Sequence, residues 1–129
     1  MTGDQLVTKD SPLSVDDAVA RLSELVTERG MTLFGVVDHS GAAHAVGLDL
    51  RDTKVVIFGN PKGGTPVMQA VPQAALDLPL KVLVWDDAGQ TMLTYTAPAA
   101  LAARYGVPDG VAAPLAAIDA LTDAVIANN

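Results

Sequence analysis

Val55-Val56-Ile57-Phe58-Gly59-Asn60-Pro61-Lys62-Gly63-Gly64-Thr65-Pro66 runs an unbroken apolar stretch into a segment with two prolines and three glycines in its last nine residues. Thr53 to Phe58 reads as a strand. Apolar residues at consecutive positions put hydrophobic side chains on both faces, which predicts a central strand buried on both sides. The Gly-Pro segment then reads as a loop of unusual backbone path, and a loop leaving a strand end is a common place for chemistry. Thr65-Pro66 has the form of a cap followed by proline at the first helical position. A short helix is therefore expected around Val67 to Ala70, with another helical turn over Pro72 to Asp77.

Upstream, Ser14 is placed to cap a helix, with Asp17 at capping-box spacing. Val15, Ala18, Val19, Leu22, Leu25 and Val26 recur at helical spacing, and Gly30 follows as a terminator. Gln5 to Thr8 is expected as a short strand. Met31 to Val37 is expected as another, with Phe34 and Val36 on one face and Leu33 and Val37 on the other. Asp38-His39-Ser40-Gly41 breaks that strand, and an Ala-rich helix follows from about Ala42 to Val46. Downstream, Leu80 to Trp85 and Met92 to Thr96 alternate as strands, joined through Asp86-Asp87-Ala88-Gly89 as a hairpin with Gly89 left-handed. Pro98 to Tyr105 reads as a helix ended by Gly106, and Pro114 to Ile126 as a closing amphipathic helix. The order mixes βα units with one hairpin. It predicts an α+β fold: a single sheet of about five strands with helices packed mainly on one face. Strand order is not legible at this level.

The chain has 129 residues, which fits one domain over residues 1–129, with 1–4 expected to be disordered. Half the residues are apolar although aromatics are scarce. That is generous for a small core, and part of it is expected in a homodimer interface. Fifteen acidic against eight basic residues give a net charge of −7. This charge disfavours nucleic acid and anionic membrane surfaces as partners. Cysteine is absent, which excludes disulfides, thiolate catalysis and cysteine-ligated metals. Met1 to Ser11 lacks the charged start and apolar core of a secretory signal, so a cytoplasmic address is expected.

Several motifs fall short of chemistry. Gly59 and Gly64 have phosphate-loop spacing, but Thr65 stands where that motif requires lysine and Pro66 removes a backbone donor. Val82 to Asp86 mimics an apolar strand ending in a magnesium-binding aspartate, equally weakly. His39 and His44 miss the i,i+4 metal pair by one residue. G-x-S-x-G and G-x-G-x-x-G do not occur, and no cofactor is indicated. A softer reading keeps the loop as an anion or carboxylate site. The N–H groups of Gly63, Gly64 and Thr65 would make the contact, with Lys62 adding charge, against the alternative of a tight turn that only places two elements. His39 beside Asp38 is a candidate general base, against a simple Asx turn. Lys81, in the middle of an apolar strand, either snorkels from an edge or faces a cleft. Trp85 and Tyr95 are expected as neighbours across the hairpin, best read as core. Met68 and Met92 read as gap-fillers. Asp77 reads as a loop residue, and Asp86 and Asp87 as solvated turn residues.

Phe58-Gly59-Asn60-Pro61-Lys62, Gly64-Thr65-Pro66-Val67-Met68-Gln69 and Leu76-Asp77-Leu78-Pro79-Leu80-Lys81-Val82-Leu83-Val84-Trp85 together resemble the bacterial and archaeal family called domain of unknown function 302. Asp38-His39 upstream and Tyr95, Pro98, Leu101, Ala102 and Arg104 downstream also fit, so the resemblance covers roughly residues 6–127. It implies a small α+β domain that forms dimers, and a site rather than a reaction. Thr96-Ala97 departs from the acidic or amide pair usual there, and Tyr105 stands where the family often has histidine. Asp38, His39, Asn60, Lys62, Thr65, Gln69 and Lys81 match the family pattern. The combined expectation is a homodimer that binds a small polar or anionic metabolite at Asn60, Lys62, Gly63, Gly64, Thr65 and Gln69, with His39 and Lys81 completing the pocket. The alternatives are an enzyme using His39 for proton transfer and a protein-interaction module.

Overall fold

Ser14 caps the first helix: its hydroxyl accepts from the Asp17 amide at 3.1 Å, and α1 runs Val15–Glu28. A computed structural model describes residues 5–127 of the chain; the expectation for residues 1–4 lies outside them. The strand β1 spans Leu6–Ser11, longer than the sequence pattern indicates, and α1 leads to β2, Thr32–Asp38. The short α2, His39–Ala45, precedes β3, Thr53–Gly59. Next come α3, Pro61–Ala70, and a 3-10 turn over Pro72–Asp77. The hairpin strands β4 and β5 are Leu80–Asp87 and Gln90–Thr96. The chain closes with α4, Pro98–Tyr105, α5, Asp109–Ala112, a 3-10 turn over Ala113–Ala116, and α6, Ala117–Ile126. The closing helix anticipated from Pro114 is thus split. Gly106 ends α4 in the left-handed conformation, as its position predicts.

The five strands form one antiparallel sheet in the order β1-β5-β4-β3-β2. The expected α+β architecture is therefore present. The first two strands end up at opposite edges, and α1 spans the sheet between them. Ala88 and Gly89 both take positive φ and close the β4–β5 hairpin. In β2 the register shifts between Leu33 and Gly35, so Phe34 is an extra, unpaired residue. This bulge overturns the simple alternation expected there: Leu33 and Val36 now share a face, through their partners Phe58 and Val56.

Val56, Phe58, Val82, Val84, Leu93 and Tyr95 turn to the helix layer and pack with Ala18, Leu22 and Val26 of α1 and Ile118, Leu121 and Val125 of α6. Burying each of these large side chains contributes about 1.5–3 kcal/mol. Lys9 pins β1 to α6. Its ammonium donates to Thr122 Oγ1 and Asp123 Oδ1, each at 2.8 Å, and lies 5.3 Å from the centre of the Tyr95 ring. Burial alone would lower the Lys9 pKa, but the bonds to Asp123 and Tyr95 outweigh it and the value is raised. Burial, and then the hydrogen bond to Asp119, push the Tyr95 phenol up.

The opposite face of the sheet is different. Val55, Ile57, Leu83, Trp85 and Met92 lie on it, stay half-buried and join neither hydrophobic cluster. Trp85 and Tyr95 therefore sit on opposite faces rather than side by side. The indole N–H of Trp85 donates instead to Thr94 Oγ1 at 3.0 Å. Among the described residues no helix is long and apolar enough to cross a membrane.

Candidate functional site

The segment after β3 is helical from Pro61, not a loop. Asn60 caps it, its side-chain oxygen accepting from the Lys62 amide at 3.0 Å, and Pro61 occupies the first turn, where its missing N–H costs nothing. Thr65-Pro66, expected to start the helix, falls inside it. Pro66 removes one intrahelical bond without ending the helix. The amides of Gly63 and Gly64 both donate to the Asn60 carbonyl, at 2.9 and 2.7 Å. The first-turn donors that would cradle an anion are therefore engaged within the helix itself.

The glycines have separate reasons to be there. A Cβ on Gly63 would sit 2.8 Å from Pro114 Cβ, so this residue lets α3 close onto the turn before α6. At Gly64 the nearest atom to a Cβ would be Met68 Cε at 3.9 Å, an ordinary contact with room to spare. Each glycine is less favourable than alanine in a helix interior by about 1 kcal/mol.

Beside this helix lies a cavity of about 360 Å³. Met31 and Phe34 line it from β2 and its approach, and Gly59, Asn60, Pro61, Gly63, Gly64, Thr65 and Met68 from β3 and α3. Leu78, Pro79 and Leu80 enter from the start of β4, and Pro114, Leu115 and Ala117 from the C-terminal segment. None of these residues is charged. Asn60 and Thr65 supply the polar side chains, and among the described residues neither the Asn60 amide nitrogen nor the Thr65 hydroxyl donates to a protein partner.

Asn60, Gly63, Gly64 and Thr65 thus come together on one hollow, while four other expected site residues do not. Lys62 and Gln69 are exposed and outside the lining. Lys81 extends on the other face of the sheet, its ammonium donating to the Pro79 carbonyl at 3.2 Å. His39 opens α2 at the far end of β2, about 20 Å of strand away from the Thr32 end, and is exposed. From there it reaches no occupant of the cavity. Asp38 beside it makes the Asx-type cap: its Oδ1 accepts from the Ser40 hydroxyl and the Gly41 amide, both at 2.9 Å. The Gly41 N–H first, then the Ser40 hydroxyl, lower the Asp38 pKa.

Sequence reasoning missed the apolar lining. Met68 is a wall of the cavity rather than a gap-filler, and Phe34 reaches it because of the bulge. Asp77 is not a simple loop residue either. It accepts from the Tyr105 hydroxyl at 2.5 Å and the Arg104 guanidinium at 2.7 Å, tying the turn before β4 to α4. These two bonds, Tyr105 first, hold its carboxyl below the ordinary value.

A family model described as domain of unknown function DUF302 matches residues 7–125. Fluoride-specific ion channel FluC 1 of Brucella suis biovar 1 (strain 1330) is 41% identical over 103 residues, covering 79% of this chain and 41% of that protein. Fluoride-specific ion channel FluC 2 of Brucella melitensis biotype 1 is also 41% identical over 103 residues, covering 79% and 38%. The chain therefore spans about two-fifths of the length of the curated relatives it matches. The crystal structure of an uncharacterized conserved protein DUF302 from Bacillus stearothermophilus has a TM-score of 0.79 at 19% identity over 94% of each chain, a likeness of fold.

Proposed function

The chain belongs to the domain of unknown function 302 family, and from that premise we propose that it is a cytoplasmic small-molecule-binding domain that works as a homodimer. The cavity carries the binding reading. Its volume lies in the range of small-ligand sites, its walls are mostly apolar, and the Asn60 and Thr65 side chains give it a polar end. The anionic ligand expected from the loop is less well served, because Lys62 and Lys81 stand outside and the helix amides are engaged. A metabolite panel screened by thermal shift tests this. A true ligand at one hundred times its Kd adds about 2.7 kcal/mol of stability. The shift should vanish in Ala117→Trp, which crowds the lining from an exposed position; a shift that survives that substitution places the site elsewhere.

The homodimer reading is supported by the uncovered sheet face. Apolar runs in β3 and β4 call for burial on both sides, yet the chain's own helices cover one. A second copy related by a two-fold axis supplies the missing layer. Sedimentation should give a dimer for the native chain and a folded monomer for Leu83→Asp. A monomeric native chain at tens of micromolar would refute it.

The relatives favour a second reading. The matched region makes up 38–41% of proteins named as fluoride-specific ion channels, so this type of domain is carried within them. The same sheet face would then seat a membrane channel chain. Cross-linking of the purified domain to such a channel, competed by the native chain but not by Leu83→Asp, separates this from self-association.

A further inference from the structure

We infer that the occupant of this cavity is an uncharged molecule whose flat or unbranched apolar body lies against the bare backbone of Gly64, and that Gly64 sets its specificity. The inference rests on the cavity's being a ligand site, as proposed above. Two adjacent glycines in α3 invite two explanations, and the structure separates them. Gly63 is required by Pro114, because an added Cβ would stand 2.8 Å from the proline ring. Gly64 has no such neighbour, and its backbone is ordinary helix rather than left-handed. Neither packing nor conformation asks for glycine at position 64, and helix propensity opposes it. What glycine does there is leave space in the cavity wall. Glycine serves where another molecule approaches the backbone closely, and at position 64, in the cavity wall, that use is open.

The chemistry of the walls narrows the class. No lysine, arginine, histidine, aspartate or glutamate lines the cavity, so a charged group held against these walls would lose water without meeting a counter-ion. Met31 and Met68 offer adaptable apolar contact to a chain or ring. At the exposed rim the Asn60 amide and the Thr65 hydroxyl are placed to bond one neutral oxygen or nitrogen. At roughly 30 Å³ per heavy atom, a water's share of the liquid, the space suits about twelve such atoms. A medium-length alcohol, a neutral aryl carbonyl compound or an amide has this form.

Titrating 1-octanol against octanoate at pH 7.5, with the Met31 and Met68 methyl groups followed by NMR, tests the class. Saturable shifts with octanol, and at least ten-fold weaker ones with octanoate, are expected. Gly64→Ala should weaken octanol binding several-fold while raising the melting temperature by a few degrees, and Gly64→Leu should abolish binding with the fold retained. Octanoate binding as tightly as octanol would overturn the uncharged class. Gly64→Ala binding octanol normally, or melting lower than the native chain, would overturn the role of Gly64. In both cases the cavity remains a ligand site. If neither compound moves either methionine in the native chain, the inferred class is overturned, and the underlying ligand-site reading fails with it only if the metabolite panel also gives no thermal shift.

Discussion

At one end of the sheet β3 runs into α3, where Asn60 caps a helix carrying Gly63 and Gly64; at the other, β2 runs into α2, where Asp38 caps a helix carrying Gly41. Both junctions use a strand, an Asx cap and early glycine. Only the first is met by other parts of the chain. Leu78 and Pro79 arrive from the turn before β4, and Pro114 and Leu115 from the segment before α6, and together they wall a half-open cavity. At the second junction His39 and His44 are exposed and lie outside the lining of that cavity. The same local device therefore becomes a candidate site at one end and a surface corner at the other. What differs is the tertiary company, not the capping chemistry.

Substitution of the two early glycines should break this comparison most visibly. Gly63→Ala pushes a methyl group into the rigid ring of Pro114 and should cost about 1–3 kcal/mol in denaturant unfolding. Gly41→Ala places its Cβ 2.5 Å from Asp38 Oδ2, but that side chain is free to swing away. Its cost should be that of the weakened cap, about 1 kcal/mol. Equal losses at the two positions would mean that the Pro114 contact does not tighten the first end.

Acid should sharpen the comparison next. Both Asp38 and Asp77 have lowered pKa values. Each contributes stability that is present above the unfolded value, about 3.9, and lost as pH falls through the lower folded value. Asp38 is held mainly by a backbone N–H, Asp77 by the side chains of Tyr105 and Arg104. Asp77→Asn should lower the melting temperature at pH 7, and the gap from the native protein should close as pH falls below the ordinary carboxylate range. Added salt should narrow the gap for Asp77→Asn, because a half-exposed ion pair is screened, and leave an Asp38→Asn gap largely unchanged. A pH-independent gap for Asp77→Asn would show that its ties to α4 are not electrostatic.

The smallest effect belongs to His39. His39→Ala should change stability by less than about 0.5 kcal/mol and leave any thermal shift by a bound metabolite unaltered. A lost shift in that variant would bring the two ends into one site and undo the contrast.

Much of the fold was readable along the chain. The Ser14 cap, the apolar spacing of α1, the Gly106 terminator and the Asp86–Gly89 hairpin each rest on signals within a few residues. The errors are instructive for the same reason. Asn60-Pro61 and Thr65-Pro66 carry the same helix-start pattern, and local rules do not say which one nucleates; the helix begins at the earlier and tolerates the later. Alternation in β2 was misjudged because a bulge depends on the partner strand, and this bulge sends Phe34 to the cavity. Lys81 and His39 matched the family pattern but point elsewhere.

Hydrophobic spacing, caps and turn residues act over one or two turns of backbone, so the sequence alone determined the strands, most of the helices and the α+β class. Strand order, the uncovered sheet face and the cavity were decided by the tertiary structure. An empty space has no residue of its own. It exists where Met31, Gly64, Leu78 and Pro114, far apart in the chain, are brought near one another without filling the gap between them.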